Sequence, residues 1–329
     1  MRSWLLDRLE GIEALRLDES PMPKPAPGEV VLRIDYAALN PADAYLAQGL
    51  YPAKPMLPHI LGRDGVGTVV EIGADVHGIE PDDTFVILRG ETGVMRPGTF
   101  AEYVAVDAAS LVPVPEGWTL PQAAGASLAL LTAMQALTQW GEMPPSVVLV
   151  TGASGGVGIA SLQLGAAMEH TMVALSRDAA KADALRAAGA HLVLDPAAKS
   201  WTKELLTQLD GRRVDLAIDN IGGNLLPQVI GVLGQHGRVS LVGRLAGPVP
   251  EFNTATLFFR RIRLGGVSAG DYTRTGARAA WERAVELLDA TGRRPLVDSI
   301  FPFTELPAAF AHLSHGALGK VLLQVAGQQ

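Results

Sequence analysis

The segment Val147–Gly158, V-V-L-V-T-G-A-S-G-G-V-G, constrains this chain more than any other. Four apolar or β-branched residues run into a loop with glycines at 152, 155, 156 and 158. A second pattern starts at once, with Val157, Ile159, Ala160, Leu162 and Leu164 apolar and Ser161 and Gln163 polar. A buried strand, a tight turn and a helix is the simplest reading. Glycine serves such a turn because it tolerates positive φ and lets backbone approach a ligand closely. The exposed N–H groups and positive dipole at the start of the helix then favour a pyrophosphate. Packing of helix on strand would also ask for a glycine here. The loop nevertheless lies between strand and helix, as a dinucleotide fingerprint requires, so Ser154, Gly155, Gly156 and Val157 are expected at a nucleotide.

At 329 residues the chain has room for about two domains. Hydrophobic residues make up 48% and charged residues 19%, the balance of a globular enzyme and not of a disordered chain. The net charge of −7 argues against general affinity for nucleic acid or anionic membranes. The cluster Arg260, Arg261 and Arg263 is short and interleaved with apolar residues, which suits the polar side of a strand or a helix end. The absence of cysteine excludes disulfides, thiolate zinc sites and cysteine nucleophiles, and is compatible with a reducing cytoplasm. No 18-residue uncharged apolar run and no signal-peptide layout occur, so a soluble, cytoplasmic protein is expected.

The first 120 or so residues read as short strands between Gly/Pro turns. Val30, Leu32 and Ile34 alternate with Val31, Arg33 and Asp35 after a Pro-rich entry, and residues 65–72, 84–88 and 101–106 repeat the rhythm. From about Leu120 strands alternate with helices. Strands are expected at 147–150, 172–175, 192–194, 216–218 and 239–242, and helices at 179–188 and 199–209. Such alternation implies right-handed βαβ units in a mostly parallel sheet, and the unbroken apolar runs suit strands covered on both faces. A long helix over 274–290, a short one near 306–313 and a last strand over 320–325 complete the chain.

The second strand of the alternating part bears on the choice of dinucleotide. NAD-binding proteins place an acid at its end for the ribose hydroxyls, whereas an arginine accommodates a 2′-phosphate. Here the chain reads Leu175-Ser176-Arg177-Asp178, with Lys181 a turn further on. Ser176, Arg177 and Lys181 together suit a dianionic phosphate, which favours NADPH. Arg177 and Lys181 also suit a solvated helix start, and Asp178 a helix cap.

Asn40-Pro41-Ala42-Asp43, Leu61-Gly62-Arg63-Asp64-Gly65-Val66-Gly67, the glycine loop and the terminal Gly319-Lys320-Val321 resemble the medium-chain dehydrogenase/reductase superfamily. The nearest branch in character is the zinc-independent quinone oxidoreductases related to ζ-crystallin. The resemblance implies an α/β protein with a Rossmann doubly wound parallel sheet, over residues 122–265, beside a GroES-like β-rich catalytic domain, over 1–121 and closed by 266–329. One departure is Gln163-Leu164-Gly165-Ala166, where the family usually carries an Ala-Lys pair. In zinc-dependent members a Cys ligand matches Asn40 and a His ligand matches Arg63, so the substitutions imply chemistry without a metal.

The resemblance further implies hydride transfer from NADPH to an electron-poor acceptor, a quinone or an α,β-unsaturated carbonyl. The resulting anionic oxygen needs stabilisation and a proton. Asn40 is expected to donate to that oxygen or to the ribose, although Asn-Pro is also a good turn sequence. Tyr51 and Tyr45 are candidate O–H donors, and Tyr51-Pro52 matches a Tyr-Pro position associated with protonation in related enoyl reductases. Either ring could instead pack against the cofactor. Arg63 would attract a carboxylate, a phosphate or a CoA moiety if it faces a ligand, or else pair with Asp64. Thr132 matches a position near the nicotinamide; Asn220, Val242 and Gly243 end strands where ligands collect; Lys320 is expected at a cofactor phosphate or as an edge-strand guard. Three functions stay open: a quinone or enone reductase, an enoyl-thioester reductase, and a non-catalytic NADPH-binding protein. A homodimer is implied by analogy, with 261–267 as an edge strand able to pair across it; nucleic acid and membrane partners are not expected.

Overall fold

A computed structural model describes residues 1–88, 91–247 and 252–327. The chain divides into two compact units. One comprises residues 1–128, 272–281 and 295–329, the other residues 129–271 and 282–294.

The first unit is built on antiparallel strands. The strand Glu29–Ala38 pairs with Asp64–Ile72 on one side and, at different residues along its length, with Tyr103–Asp107 and Lys320–Gln324 on the other. Its Val30, Leu32 and Ile34 are fully buried as the alternation predicts. Val31 is buried too, so only Arg33 and Asp35 keep the polar phase. Thr84–Ile87 and Leu111–Pro113 extend this sheet on one side, and Val297–Pro302, parallel to Lys320–Gln324, extends it on the other. A smaller sheet holds Arg2–Leu6 between Leu15–Glu19 and His59–Ile60. One core, centred on Phe100, Leu61, Leu46 and Phe303, lies beneath these strands.

The second unit is a six-stranded parallel sheet. Its order is Ala190–Leu194, Thr171–Leu175, Val147–Val150, Val214–Asp219, Leu233–Leu241, Arg263–Gly266. Numbered along the chain this is 3-2-1-4-5-6, the doubly wound arrangement whose order reverses at the first strand. That strand is buried over all four residues, as expected of one covered on both faces. The helix after it, Gly156–Ala167, departs from its apparent amphipathicity. Ser161 and Gln163 are buried with the apolar residues, the hydroxyl donating to Val157 O and the amide to Arg294 O. Internal hydrogen bonds let this helix be covered on its polar positions. Among the described residues no helix is long and apolar enough to cross a membrane.

Candidate active site

In the first unit, a polar cluster forms where the ends of three segments meet inside the core. The helix Pro41–Ala47 starts at Asn40, with proline in its first turn, and the Asn40 N–H donates to Asp43 Oδ2 at 2.9 Å. The strand Asp64–Ile72 begins with an aspartate that is fully buried. The last strand begins with Lys320, also buried, whose Nζ donates to Asn40 Oδ1 at 2.6 Å and to Asp64 Oδ2 at 3.0 Å. Asn40 Nδ2 completes the triangle by donating to Asp64 Oδ2 at 3.0 Å. The other oxygen of Asp64 accepts from Ser127 Oγ at 2.7 Å and from the N–H of Leu128 at 3.0 Å. Burial alone would raise the Asp64 carboxyl. Lys320, Ser127 and Asn40 together outweigh it and hold the group below the ordinary carboxylate range.

This geometry bears on two expectations. Lys320 is expected at a cofactor phosphate or as an edge-strand guard, and two of its ammonium's three donors go instead to Asn40 and Asp64. Asn40 was assigned as a donor to substrate or ribose, but its amide donates to Asp64 and, at 3.4 Å, to Ala38 O, while its carbonyl accepts from Lys320. An amide has two donor hydrogens, and both are directed inward. Arg63 does not pair with its neighbour Asp64, whose carboxylate is engaged by Asn40, Ser127 and Lys320. Its Nη1 instead donates to Tyr51 Oη at 3.0 Å, and the guanidinium carbon lies 5.3 Å from the Tyr51 ring centroid. Tyr45 sits half-buried on the helix Pro41–Ala47, without a side-chain hydrogen bond among the described residues. Asp43 is buried with one bare oxygen, and burial, partly offset by Arg63 and Lys320, pushes it up to about 7.

In the second unit, the turn after Val147–Val150 distinguishes its glycines. Gly152 adopts φ 58°, and a Cβ on Gly158 would lie 2.4 Å from Gly152 O and 2.6 Å from Ala153 O, so both serve the turn itself. A Cβ on Gly155 would meet only Gly152 O, at 3.6 Å. Ser154, Gly156 and Val157 flank this open position, Gly155 being the N-cap of the helix. Across the order reversal, Asp219 ends the fourth strand fully buried. It accepts from Thr151 Oγ1 at 2.6 Å and from the N–H groups of Ile221 and Gly222. Asn220 Nδ2 donates to Thr151 O at 2.8 Å, leaving its buried Oδ1 without a partner. The N–H groups of Val242 and Gly243 both donate to Asp219 O, so these two residues close on the same strand end. Thr132 is buried on the helix Ser127–Thr138.

At the end of the second strand Ser176 Oγ accepts from the Asp178 N–H at 3.3 Å, and Asp178 caps the following turn through the Ala180 N–H. Lys181 Nζ lies 3.8 Å from Asp178. Asp178 thus serves as the cap its position suggests and draws Lys181 toward it. Arg177 is exposed and makes no hydrogen bond or ion pair among the described residues.

Residues 26–116 match the alcohol dehydrogenase GroES-like domain, and residues 156–293 match the family described as zinc-binding dehydrogenase. The chain is 32% identical to the rat synaptic vesicle membrane protein VAT-1 homolog, over 98% of this chain and 84% of that protein. It is 28% identical to a chloroplastic NADPH-dependent alkenal/one oxidoreductase of Arabidopsis thaliana, over 98% and 79% of the two chains. Its fold superposes on a Pseudomonas syringae quinone oxidoreductase with a TM-score of 0.86 at 26% identity, over 98% and 99% of the chains. The chain belongs to the medium-chain dehydrogenase/reductase superfamily. In this chain Asn40 is tied to an ammonium and Arg63 to a phenol. Among the described residues no group of three or more His, Asp or Glu is placed to hold a metal ion.

A dinucleotide fits this medium-chain reductase on two observations: the open space at Gly155 beside the helix N-terminus, and the unpartnered Asn220 Oδ1 at the strand-order reversal. Asp64, Ser127, Thr151 and Asp219 escaped the sequence reading as site-building residues. The signal was present in part. An acid directly after an apolar run, as in Leu216-Ala217-Ile218-Asp219, must be buried with donors around it. The identity of those donors is set by strands distant in sequence.

Proposed function

We propose that this protein is an NADPH-dependent oxidoreductase that reduces a quinone or an α,β-unsaturated carbonyl without a metal. The observation that carries the reading is the doubly wound sheet with its glycine turn left open at Gly155. Gly156 and Val157 would hold the pyrophosphate through backbone N–H groups, with Ser154 beside them, while Gly155, whose own N–H donates to Gly152 O, leaves room for its approach. Arg177, uncommitted at the end of the second strand, would take the 2′-phosphate with Ser176 and Lys181. Asn220, Val242, Gly243 and Thr132 would line the nicotinamide half. The Arabidopsis relative is named for NADPH and for alkenals and alkenones, and the Pseudomonas protein for quinones, which supports this reading.

Bound NADPH supplies a hydride. The chain's part is to orient the acceptor and deliver a proton. Tyr51 is the proposed donor, since its ring packs on the core while its hydroxyl reaches Arg63. Asn40, Asp64 and Lys320 act as a brace beneath the site and not as groups on the substrate. The protein is proposed to work in the cytoplasm as a homodimer.

The test is NADPH oxidation against quinones, alkenals and enoyl-CoA esters, with NADH as control. Turnover of a quinone or alkenal with NADPH preferred is expected. Turnover restricted to enoyl-CoA esters would make it an enoyl-thioester reductase, and NADPH binding without turnover of any class would make it a non-catalytic binder. Tyr51→Phe should lower kcat by about 100-fold or more, the usual range of a general acid, while leaving NADPH affinity intact.

A further inference from the structure

Arg63 occupies an unusual place for a cation. Gly62 before it adopts φ 101°, and a Cβ there would lie 2.5 Å from Thr99 Oγ1 and 2.8 Å from Phe100 N. The backbone is therefore fixed immediately ahead of Arg63, at the head of a buried strand. Tyr51 approaches from another segment. Its ring packs against the first unit's core, and the loop carrying it is closed by Lys54 Nζ donating to Gly49 O at 2.6 Å. The two side chains meet through the Nη1–Oη hydrogen bond and a cation–π contact. Asp43 lies within electrostatic reach of the same guanidinium.

We propose that Arg63 is a positioning residue that commits Tyr51 to proton donation. A guanidinium only donates hydrogen bonds and keeps its charge throughout the accessible pH range. When it donates to the phenol oxygen, that oxygen is the acceptor and the phenol's own hydrogen is left for another partner. The contact thus fixes the direction of the Tyr51 hydroxyl as well as its place. When the O–H bond breaks, the proton passes to the carbanionic carbon or oxygen left on the reduced substrate. The electron pair stays on Oη, beside a permanent cation, until water returns a proton. Among the described residues Tyr45 has no cation in hydrogen-bond or cation–π contact, which separates the two candidate phenols. This inference rests on Tyr51 being the proton donor.

The experiment is a double-mutant cycle of Arg63→Met and Tyr51→Phe on the full chain, read by steady-state kinetics and by NMR of ζ-13C-tyrosine. The chain has five tyrosines, and the Tyr51 resonance is the one missing from Tyr51→Phe. Arg63→Met is expected to move that resonance, lower kcat about tenfold or more and leave KM for NADPH unchanged. It should also raise the solvent isotope effect on kcat. In the Tyr51→Phe background the same substitution should have almost no further effect on kcat, because its target is gone. Arg63→Gln keeps a donor without the charge and should fall between; it carries the comparison if Arg63→Met does not fold. An equal loss of kcat from Arg63→Met in both backgrounds, or an unmoved Tyr51 resonance, would overturn the proposal. Wild-type turnover in Tyr51→Phe would instead overturn the proton-donor reading beneath it, recognisable because the resonance would still respond to Arg63.

Discussion

Two buried carboxylates, Asp43 three residues after Asn40 and Asp64 directly after Arg63, carry opposite electrostatic consequences. Asp43, with its folded-state value raised from 3.8 to about 7, keeps its proton in the folded state over a range where the unfolded chain has lost it. Its contribution to stability therefore falls as pH rises from about 4 to about 7 and levels off above, by roughly 1.4 kcal/mol per pH unit at most. Asp64 is shifted the other way, so its contribution is present above the ordinary carboxylate range and lost on acidification. Urea unfolding of wild type and Asp43→Asn across this window isolates the first effect, since Asp64 is common to both; a constant difference would refute it. Lys320→Met leaves Asp64 buried and uncompensated and should cost roughly 3–5 kcal/mol. Arg177→Ala should weaken NADPH binding but spare NADH, measured by titration of both cofactors. Equal losses would remove Arg177 from the 2′-phosphate.

At the scale of the element, the glycine turn separates what folding needs from what a ligand needs. Gly158→Ala places a methyl group against two backbone carbonyls, atoms with no rotamer to yield, and should lower the melting temperature. Gly155→Ala adds a methyl group to open space and should leave melting unchanged. If pyrophosphate crosses that position, the same variant loses NADPH affinity by on the order of tenfold or more, about 1.4 kcal/mol per decade. Paired melting curves and cofactor titrations of the two variants check both halves. The strand Val147–Val150 and the helix Arg274–Ala290 have the bounds their patterns predict, because a four-residue apolar run and a long amphipathic repeat are local signals. The strand expected at 239–242 begins six residues earlier, at Leu233, and ends at Leu241. Its entry carries Gly234, Gln235, His236 and Gly237, whose strand state depends on neighbours and not on their own preference.

At the scale of the whole molecule, the exposed edge of the parallel sheet calls for a partner. Among the described residues Arg263–Gly266 pairs on one side only, with Leu233–Leu241, and presents Leu264 to solvent. The adjoining helix Ala255–Phe259 exposes Phe258 at 64% and Phe259 at 72%, more aromatic surface than an isolated monomer ordinarily leaves in water. Light scattering should give twice the 34.6 kDa chain mass, and Phe259→Asp with Leu264→Lys should shift it toward the monomer. A monomeric wild type would discard the homodimer. The neighbouring basic cluster is already partly engaged, since Arg260 Nη1 donates to Gly231 O and Leu233 O at a helix end.

The sequence by itself determined the α/β class, the strand–turn–helix at the glycine loop and the family, because periodicity, turn glycines and short motifs are written in contiguous residues. It also marked Asn40, Tyr51, Arg63 and Lys320 as worth attention. Only the tertiary structure decided which groups each of them meets. Asn40, Asp64 and Lys320 are 24 and 256 residues apart along the chain, and the assignment of a buried ammonium to a buried carboxylate depends on which strand ends converge. The Arg63–Tyr51 contact is likewise set by a loop folding back on a strand. A hydrogen bond is directional and short, so a polar side chain's role follows from where its partner's atoms lie, which no linear spacing fixes.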